Sequence, residues 1–171
     1  MFEWYESDFK DGPKLRLIAS PEGIRGIAFD NPERDSPPKV GERNDSNALL
    51  LEAVRQLQAY FDGTLREFQL PLDMEGTDFQ LRVWNQLTSI PYGQTRSYSQ
   101  IAEAIGTPRA VRAVGAANGA NPVAIVVPCH RVIGTSGKLV GYGGGLPLKQ
   151  RLLALEGAIP LALALHQVNV S

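Results

Sequence analysis

The chain has 171 residues, 43% of them hydrophobic, and its net charge of −1 divides into −6 over residues 1–75 and +5 over residues 76–171. One cysteine and two histidines exclude a disulfide framework and an ordinary structural zinc site, and no apolar run reaches the roughly 18 residues that span a membrane. The acidic, aromatic start differs from a targeting peptide and, with the lone thiol, favours the reducing cytoplasm, while the basic second part favours a polyanionic partner.

The sequence of residues 1–75 predicts a domain with a small antiparallel sheet and one helix, and we expect this domain to have a structural role. The runs KLRLIAS and IRGIAF are rich in branched residues and flank a short PEG turn, which is typical of a hairpin. Residues 30–47 are polar and rich in proline and predict an exposed loop. A helix is expected over residues 47–63, where Gly63 can end it. Its apolar positions at helical spacing are Leu50, Val54, Leu57 and Phe61. The extended stretch 68–76 places the domain boundary near residue 75.

The second part, residues 76–171, predicts a mostly helical domain. The segment TDFQLRVWNQLTSI opens with Thr77 and Gln80 at the spacing of a capping box, and its apolar positions line one helical face. The segment SYSQIAEAIG repeats that spacing with Ser97 and Gln100. A further helix is expected over PLKQRLLALEG, residues 147–157, closed by its glycine.

Two short helices in the second part are separated by one tight turn. Gly106 can end the first, Thr107 can cap the second, and Pro108 suits its first helical position. This arrangement predicts a helix-turn-helix whose later helix lies against DNA. Arg109 and Arg112 lie three residues apart on that helix among small residues. They are expected either to hold phosphate or fill a gap in a base stack, or to be solvated.

The stretch IVVPCHRVIG contains the only cysteine of the chain, Cys129, directly before His130. By composition IVVPC reads as a short buried strand, in which a cysteine is most often a small core residue. Adjacent strand residues point to opposite faces, however, so both side chains are not expected in one flat core, and Pro128 predicts the end of the strand there. A thiol at such a point, beside an imidazole that can accept its proton, is a candidate nucleophile.

A carboxylate is needed to steady the imidazolium, and the second part has only Asp78, Glu103 and Glu156. Asp78 suits the first turn of a helix and Glu103 an exposed helical face. Glu156 ends the last helix, where a negative charge opposes the helix dipole. That position indicates either a compensating histidine partner or a solvated helix end, and the residues alone leave both open.

The motifs PCHRVIG, NPV just before it, and GYGGGL with LLALEG after it resemble the O6-alkylguanine-DNA alkyltransferases, the methylated-DNA–protein-cysteine methyltransferases. The resemblance is close from about residue 79 to residue 157 and loose over residues 1–75. It implies an α/β (α+β) fold of two domains: a small N-terminal antiparallel sheet with a helix, and a mostly helical C-terminal domain with a helix-turn-helix and a short active-site strand. It also implies irreversible transfer of an alkyl group, without a cofactor or metal, from O6-alkylguanine in double-stranded DNA, with O4-alkylthymine as a further substrate left open.

Residue roles follow from the resemblance. Cys129 would accept the alkyl group, His130 would take the thiol proton through water, and Glu156 would hold His130. Asn121 would brace the turn before the active-site strand, and Tyr98 would donate a proton to the departing base and help to rotate the nucleotide outward. The residues expected at DNA are Tyr98, Ser99, Thr107, Arg109, Arg112 and Thr135, with Arg112 entering the vacated place in the stack. The residues expected around the base are Val132, Tyr142, Gly143 and Gly144.

The sequence departs from many relatives at Leu155, where they have histidine, and at Ala124, where they have proline. Gly143 leaves the expected pocket wall open to larger alkyl groups. The expected partner is DNA containing O6-alkylguanine, bound by a monomer with no membrane contact, and cooperativity along DNA is left open. Two alternatives are a sensor that binds alkylated guanine without reacting and a redox-responsive DNA-binding protein in which Cys129 is oxidised.

Overall fold

The structure, a computed structural model, describes residues 1–30 and 41–160, so most of the predicted loop and the tail after residue 160 lie outside the described residues. The chain divides into two compact units. The first contains Met1–Glu75 and Pro122–Val126, and the second contains Gly76–Asn121 and the chain from Val127 onward. Residues 122–126, which the predicted boundary assigns to the second part, therefore belong to the first unit. None of the helices built from the described residues has the length and hydrophobicity needed to cross a membrane.

A four-stranded sheet forms the centre of the first unit. Its strands are β1 (Glu3–Ser7), β2 (Leu15–Ala19), β3 (Ile24–Phe29) and β4 (Glu42–Arg43), in the order β3-β2-β1-β4. The β2–β3 hairpin is confirmed, and both β1–β2 and β2–β3 are antiparallel, whereas β4 runs parallel to β1. Strand β2 is buried at all five positions; it lies between β1 and β3, and helix α1 (Ala48–Phe61) packs against it. The sequence pattern did not predict β1 or β4.

Helices make up most of the second unit: α2 (Asp78–Thr88), α3 (Tyr98–Ala104), α4 (Val111–Gly119) and α5 (Leu146–Leu155). Both predicted capping boxes are confirmed, at the starts of α2 and α3. The short strands β5 (Arg96–Ser97) and β6 (Val132–Ile133) pair in parallel. Helices α2 and α4 are joined by a hydrogen bond from the Trp84 indole Nε1 to the Ala117 carbonyl, at 2.8 Å.

Helix α4 begins at Val111, so the predicted start at Thr107 and Pro108 is wrong. The Ala110 amide donates to the Thr107 carbonyl at 2.9 Å, which closes a four-residue reverse turn instead of a first helical turn. The Thr107 hydroxyl is buried and makes no hydrogen bond within the described residues, so it caps nothing. Arg109 therefore lies in the turn, and Arg112 is the one arginine within α4.

The residues expected as the active-site strand form two consecutive tight turns. The Val126 amide donates to the Ala124 carbonyl at 2.8 Å, with Ile125 at a φ of 70°. The Cys129 amide donates to the Val127 carbonyl at 2.8 Å, with Pro128 at φ −83° and ψ 65°. Both are γ-turns, the second with the common negative φ. Cys129 accordingly begins a single 3-10 turn over Cys129–Arg131 and does not end a strand.

Candidate active site

The 3-10 turn Cys129–Arg131 carries the candidate nucleophile. The exposed fraction is 7% for Cys129 and 0% for His130, so both side chains are buried, and the strand that was expected to point them to opposite faces is replaced by the 3-10 turn. The alternation of a strand does not apply to a 3-10 turn, whose side chains are distributed around its axis. Cys129 is nevertheless not enclosed by aliphatic groups alone, because Asn121 and Lys149 act on its thiol.

Glu156 lies at the end of α5 and is 5% exposed. One carboxylate oxygen, Oε2, lies 2.7 Å from His130 Nε2, and the other, Oε1, accepts from Arg131 Nε at 2.7 Å. Arg131 also donates to Oε2 at 3.1 Å and to the Ile90 carbonyl at 2.7 Å. The structure thus places Glu156 beside a histidine, and the solvated helix end that the sequence left open is absent.

The electrostatics of this cluster keep the thiol and the imidazole neutral. Burial raises the pKa of Cys129, although hydrogen bonding by Asn121 and the charge of Lys149 act in the opposite direction. Burial likewise lowers the pKa of His130 against the opposing effect of Glu156. Burial also disfavours the charged form of Glu156, but hydrogen bonds and charge from His130 and Arg131 outweigh it and bring the pKa of this carboxyl to about 2. A neutral imidazole with an ionised carboxylate on Nε2 is arranged to accept a proton on its other nitrogen.

Two asparagines reach the segment around Cys129. The Asn121 amide donates to the Val127 carbonyl at 2.8 Å, so it spans the turn that leads to Cys129. The Asn118 amide nitrogen lies 3.4 Å from the Cys129 carbonyl oxygen. Tyr98, at the start of α3, donates from its hydroxyl to the Val140 carbonyl at 3.3 Å.

The glycine-rich segment before α5 is held by a buried lysine. Lys149 is 0% exposed, and its Nζ donates to the carbonyls of Val132, Val140 and Gly141 at 2.6, 3.1 and 3.4 Å. Burial lowers the pKa of Lys149 to about 8, and attraction to Cys129 in its thiolate form partly opposes that shift. The Tyr142 hydroxyl is also buried, and burial raises its pKa well above the ordinary value, with repulsion from the thiolate form of Cys129 and from Glu156 acting in the same direction. Gly143 is exposed and Gly144 half-buried.

The residues expected at DNA are spread over α3, the turn at residues 107–110, α4 and the loop after β6. Arg109 and Arg112 are exposed. Ser99 and Thr135 are brought together, with their hydroxyl oxygens 3.1 Å apart. Residues 107–110 line a depression of about 560 Å³.

Sequence reasoning missed three polar residues of the site: Arg131, Lys149 and Asn118. A signal for one of them exists, because Lys149 and Glu156 are seven residues apart on the same helical face as the buried Leu152 and Leu153. Two charges on an apolar stripe predict a buried polar cluster. Arg131 and Asn118 carry no comparable signal.

Comparison with known proteins gives a consistent result over nearly the whole chain. Residues 5–74 match the ribonuclease-like domain of 6-O-methylguanine DNA methyltransferase, and residues 78–158 match the DNA binding domain of the same family. A methylated-DNA–protein-cysteine methyltransferase of Mycolicibacterium paratuberculosis is 54% identical over 84% of this chain and 92% of its own length. One of Methanosarcina acetivorans is 61% identical over 86% of this chain and 93% of its own.

Comparison with solved structures indicates the same family. The crystal structure of Mycobacterium tuberculosis OGT in complex with DNA superposes with a TM-score of 0.84 at 45% identity. The match covers 96% of this chain and 99% of that one. The mixed α/β architecture expected from the sequence is therefore confirmed.

Proposed function

The chain belongs to the 6-O-methylguanine DNA methyltransferase family, and we propose that, as a methylated-DNA–protein-cysteine methyltransferase, it repairs duplex DNA by moving the alkyl group of O6-alkylguanine onto Cys129. The observation that carries this proposal is the buried row of Cys129, His130, Glu156 and Arg131, in which the only thiol of the chain is followed by a base and an ionised carboxylate.

The transfer is a single displacement at carbon. The Cys129 sulfur attacks the alkyl carbon, the carbon–O6 bond breaks, and its electron pair returns to the guanine. The thiol proton passes to His130, through a water molecule, and Tyr98 supplies a proton to the departing base. The imidazolium that forms is stabilised by Glu156, whose carboxylate lies 2.7 Å from His130 Nε2. The proton held by His130 then returns to the Tyr98 phenolate through water, so the net result is a thioether and an unmodified guanine, with no co-reactant required.

A base stacked in a duplex cannot reach a buried sulfur, so the nucleotide has to rotate out of the helix at a cost of about a few kcal/mol. Arg112, exposed near the start of α4, would occupy the vacated place in the stack and offset part of that cost. Tyr98 would crowd the adjacent phosphate. Ser99, Arg109, Thr135 and the main chain at Thr107, whose hydroxyl is buried, would contact the backbone of the DNA, which positions the protein without reading sequence.

The pocket for the base would be formed by the backbone at Cys129 and Val132 and by the segment from Tyr142 to Gly144. The carbonyls of Cys129 and Val132 already accept from Asn118 and Lys149, but each carbonyl oxygen has a second lone pair for the guanine edge. The exposed Gly143 leaves room for alkyl groups larger than methyl.

A thioether has no good leaving group, so no second step restores Cys129, and each molecule would act once. Residues 76–171 would carry the chemistry and the DNA contacts, and residues 1–75 would have a structural role. A protein that depends on one reduced thiol suits the reducing cytoplasm.

Intact-mass analysis tests the proposal. Protein mixed with an equimolar duplex containing O6-methylguanine should gain about 14 Da on the peptide containing Cys129, with one product per protein molecule, and Cys129→Ser should gain nothing. A duplex with O4-methylthymine and a free O6-benzylguanine base extend the test to the second substrate and to the width of the pocket.

Each alternative gives a different result. Binding to the modified duplex with an unlabelled Cys129 would indicate a non-reacting sensor. DNA affinity that depends on peroxide, without damage in the DNA, would indicate a redox-responsive protein. Many turnovers per molecule would refute the single-use reaction.

A further inference from the structure

The turn between α2 and β5 lies against the end of α5, where Glu156 is located. Residues 91–94 form this turn, in which the Gln94 amide donates to the Pro91 carbonyl at 3.1 Å and Gly93 has a φ of 81°. A β-carbon at Gly93 would lie only 3.0 Å from the Glu156 carbonyl oxygen. Glycine therefore allows both the shape of the turn and its close approach to the main chain of Glu156.

Tyr92, the second residue of this turn, contacts two neighbours of the Glu156 carboxylate. Its hydroxyl donates to the carbonyl of Leu155, the residue before Glu156, at 3.2 Å. The Cζ atom of Arg131 lies 5.8 Å from the centroid of the Tyr92 ring, a distance at which the ring attracts a guanidinium. Arg131 also donates to the carbonyl of Ile90, directly before the turn, at 2.7 Å. The turn thus holds both the arginine and the helix end that meet at this carboxylate.

We propose that Tyr92 is a positioning residue for the transfer reaction: its ring holds the Arg131 guanidinium, and its hydroxyl holds the end of α5, so that both stay fixed around Glu156. This inference rests on the proposed function, in which His130 accepts the thiol proton. Tyr92 acts through Arg131, whose Nε and Nη2 atoms donate to Glu156 at 2.7 and 3.1 Å. The same carboxylate lies 2.7 Å from His130 Nε2.

The groups around the imidazole determine what the loss of Tyr92 would change. Burial lowers the pKa of His130, the positive charges of Arg131 and Lys149 act in the same direction, and Glu156 acts against them. A guanidinium that is no longer held at Glu156 would oppose protonation of His130 less. The titratable and charged groups near His130 are Glu156 and Lys149 of α5, Cys129 and Arg131 of its own turn, and Tyr142 of the glycine-rich segment.

Four variants of the full-length protein test the proposal. Tyr92→Leu removes the ring and the hydroxyl, Tyr92→Met is a second variant without a ring, and Tyr92→Phe removes the hydroxyl alone. Tyr5→Leu makes the first change at another half-buried tyrosine, in β1, as the matched control. All are made in a His166→Gln background, so that His130 is the only histidine.

Three quantities are measured for each variant. An NMR titration of the free protein gives the midpoint for protonation of the His130 imidazole. The single-turnover rate of Cys129 methylation, with saturating duplex containing O6-methylguanine, is followed as a function of pH. The melting temperature reports on stability.

We expect Tyr92→Leu to raise the midpoint of the His130 titration by about one pH unit, a tenfold change in the protonation equilibrium. The midpoint of the pH–rate profile should rise by the same amount. Well below both midpoints the variant should methylate Cys129 about tenfold more slowly than the wild type, and above them by less than about threefold.

The two other kinds of variant should keep the wild-type midpoint. Tyr92→Phe retains the ring that faces Arg131, and the loss of its hydrogen bond should lower the melting temperature by about 2–4 °C. Tyr5→Leu lies in the first unit and should leave both the titration and the pH–rate profile unchanged.

A folded Tyr92→Leu protein with the wild-type midpoint would overturn the proposal. A lowered melting temperature without a shifted midpoint would do so too, because Tyr92 would then have a structural role only, as would an equal shift in Tyr5→Leu. If Tyr92→Leu does not fold, Tyr92→Met decides by the same criteria. Failure of the proposed function is distinguishable, since wild-type Cys129 would then remain unmethylated, whereas the titration requires no DNA.

Discussion

Replacing Glu156 with glutamine changes one atom in the buried cluster of His130, Arg131 and Glu156. The carboxylate accepts from His130 Nε2 on Oε2 and from Arg131 Nε on Oε1, both at 2.7 Å. A carboxamide has only one oxygen, so it cannot satisfy both donors. If its oxygen faces Arg131, its NH₂ group faces His130 and forces the imidazole proton onto Nδ1. If its oxygen faces His130, two donors meet at Arg131.

The size of the effect on stability can be worked out in two ways. The pKa of Glu156 is about 2 in the folded protein, against an ordinary value of 4.5. A depressed carboxyl pKa adds stability above pH 4.5 that is lost as the pH falls through the folded value, and this shift corresponds to about 3 kcal/mol. Breaking a buried ion pair by removing one partner also costs about 3–5 kcal/mol. For a chain of this length, 3 kcal/mol lowers the melting temperature by about 6–12 °C.

The effect on the reaction follows from the tautomer. An imidazole with its proton on Nδ1 cannot accept the thiol proton at that nitrogen, so we expect Glu156→Gln to slow methylation of Cys129 by about a hundredfold or more. Thermal unfolding and single-turnover methylation, at a temperature where the variant is folded, measure the two effects separately. Asp78→Asn, at an exposed position in the first turn of α2, is the matched control and should change stability by less than about 1 kcal/mol. A folded Glu156→Gln protein that methylates Cys129 at the wild-type rate would refute the assignment of His130 as the base.

Three further predictions concern the same site. Because burial lowers the pKa of His130, the methylation rate should fall by less than half from pH 7.5 to 6.5, whereas a tenfold fall would mean that the thiol ionises to solvent. Lys149→Met should lower the free energy of unfolding by about 3 kcal/mol through lost charge-assisted hydrogen bonds. The pKa of Lys149 is about 8 in the folded protein, so between pH 8 and 10.5 the unfolded chain binds one more proton than the folded chain. The stability of the wild type, measured by urea unfolding, should therefore rise relative to that of the variant across this window, and this rise checks the assignment. Asn121→Ala removes the 2.8 Å hydrogen bond to the Val127 carbonyl and should cost about 1–2 kcal/mol and slow methylation; an unchanged melting temperature would contradict that bracing role.

Local patterns in the sequence predicted the elements whose ends are fixed by local hydrogen bonds. In the capping boxes at Thr77 and Ser97, the hydrogen-bond partner is the residue three positions later. A short stretch of sequence therefore contains both partners of the hydrogen bonds that start each helix. The start of α4 could not be predicted from local hydrogen-bonding patterns. A threonine followed by proline suits a helix start and a reverse turn equally well, and the turn at residues 107–110 is decided by packing.

The segment before Cys129 illustrates the opposite case. A run of branched residues favours a strand, and a β-branched residue such as Ile125 rarely adopts the positive φ of 70° that it has here. Only Pro128 indicated a break. The turns are imposed by tertiary contacts, including the Ile27–Val123 bridge within the first unit and the bond from Asn121 to the Val127 carbonyl. The pairing of His130 with Glu156 was open from the sequence for the same reason, since 26 positions separate the two residues.

The burial of Cys129 affects the reactivity of its thiol in a protein whose thiol would react only once. The common way to activate a cysteine is to lower its pKa, but a standing thiolate also reacts with oxidants and stray electrophiles. Here burial raises the pKa of Cys129 and keeps His130 neutral, so the charged pair forms only as the proton moves. The carboxylate of Glu156 is already ionised and held by Arg131, so it needs no rearrangement when the imidazolium appears. Under the proposed function, the site would remain unreactive until an alkylated base entered it, which would suit a reaction that cannot be repeated.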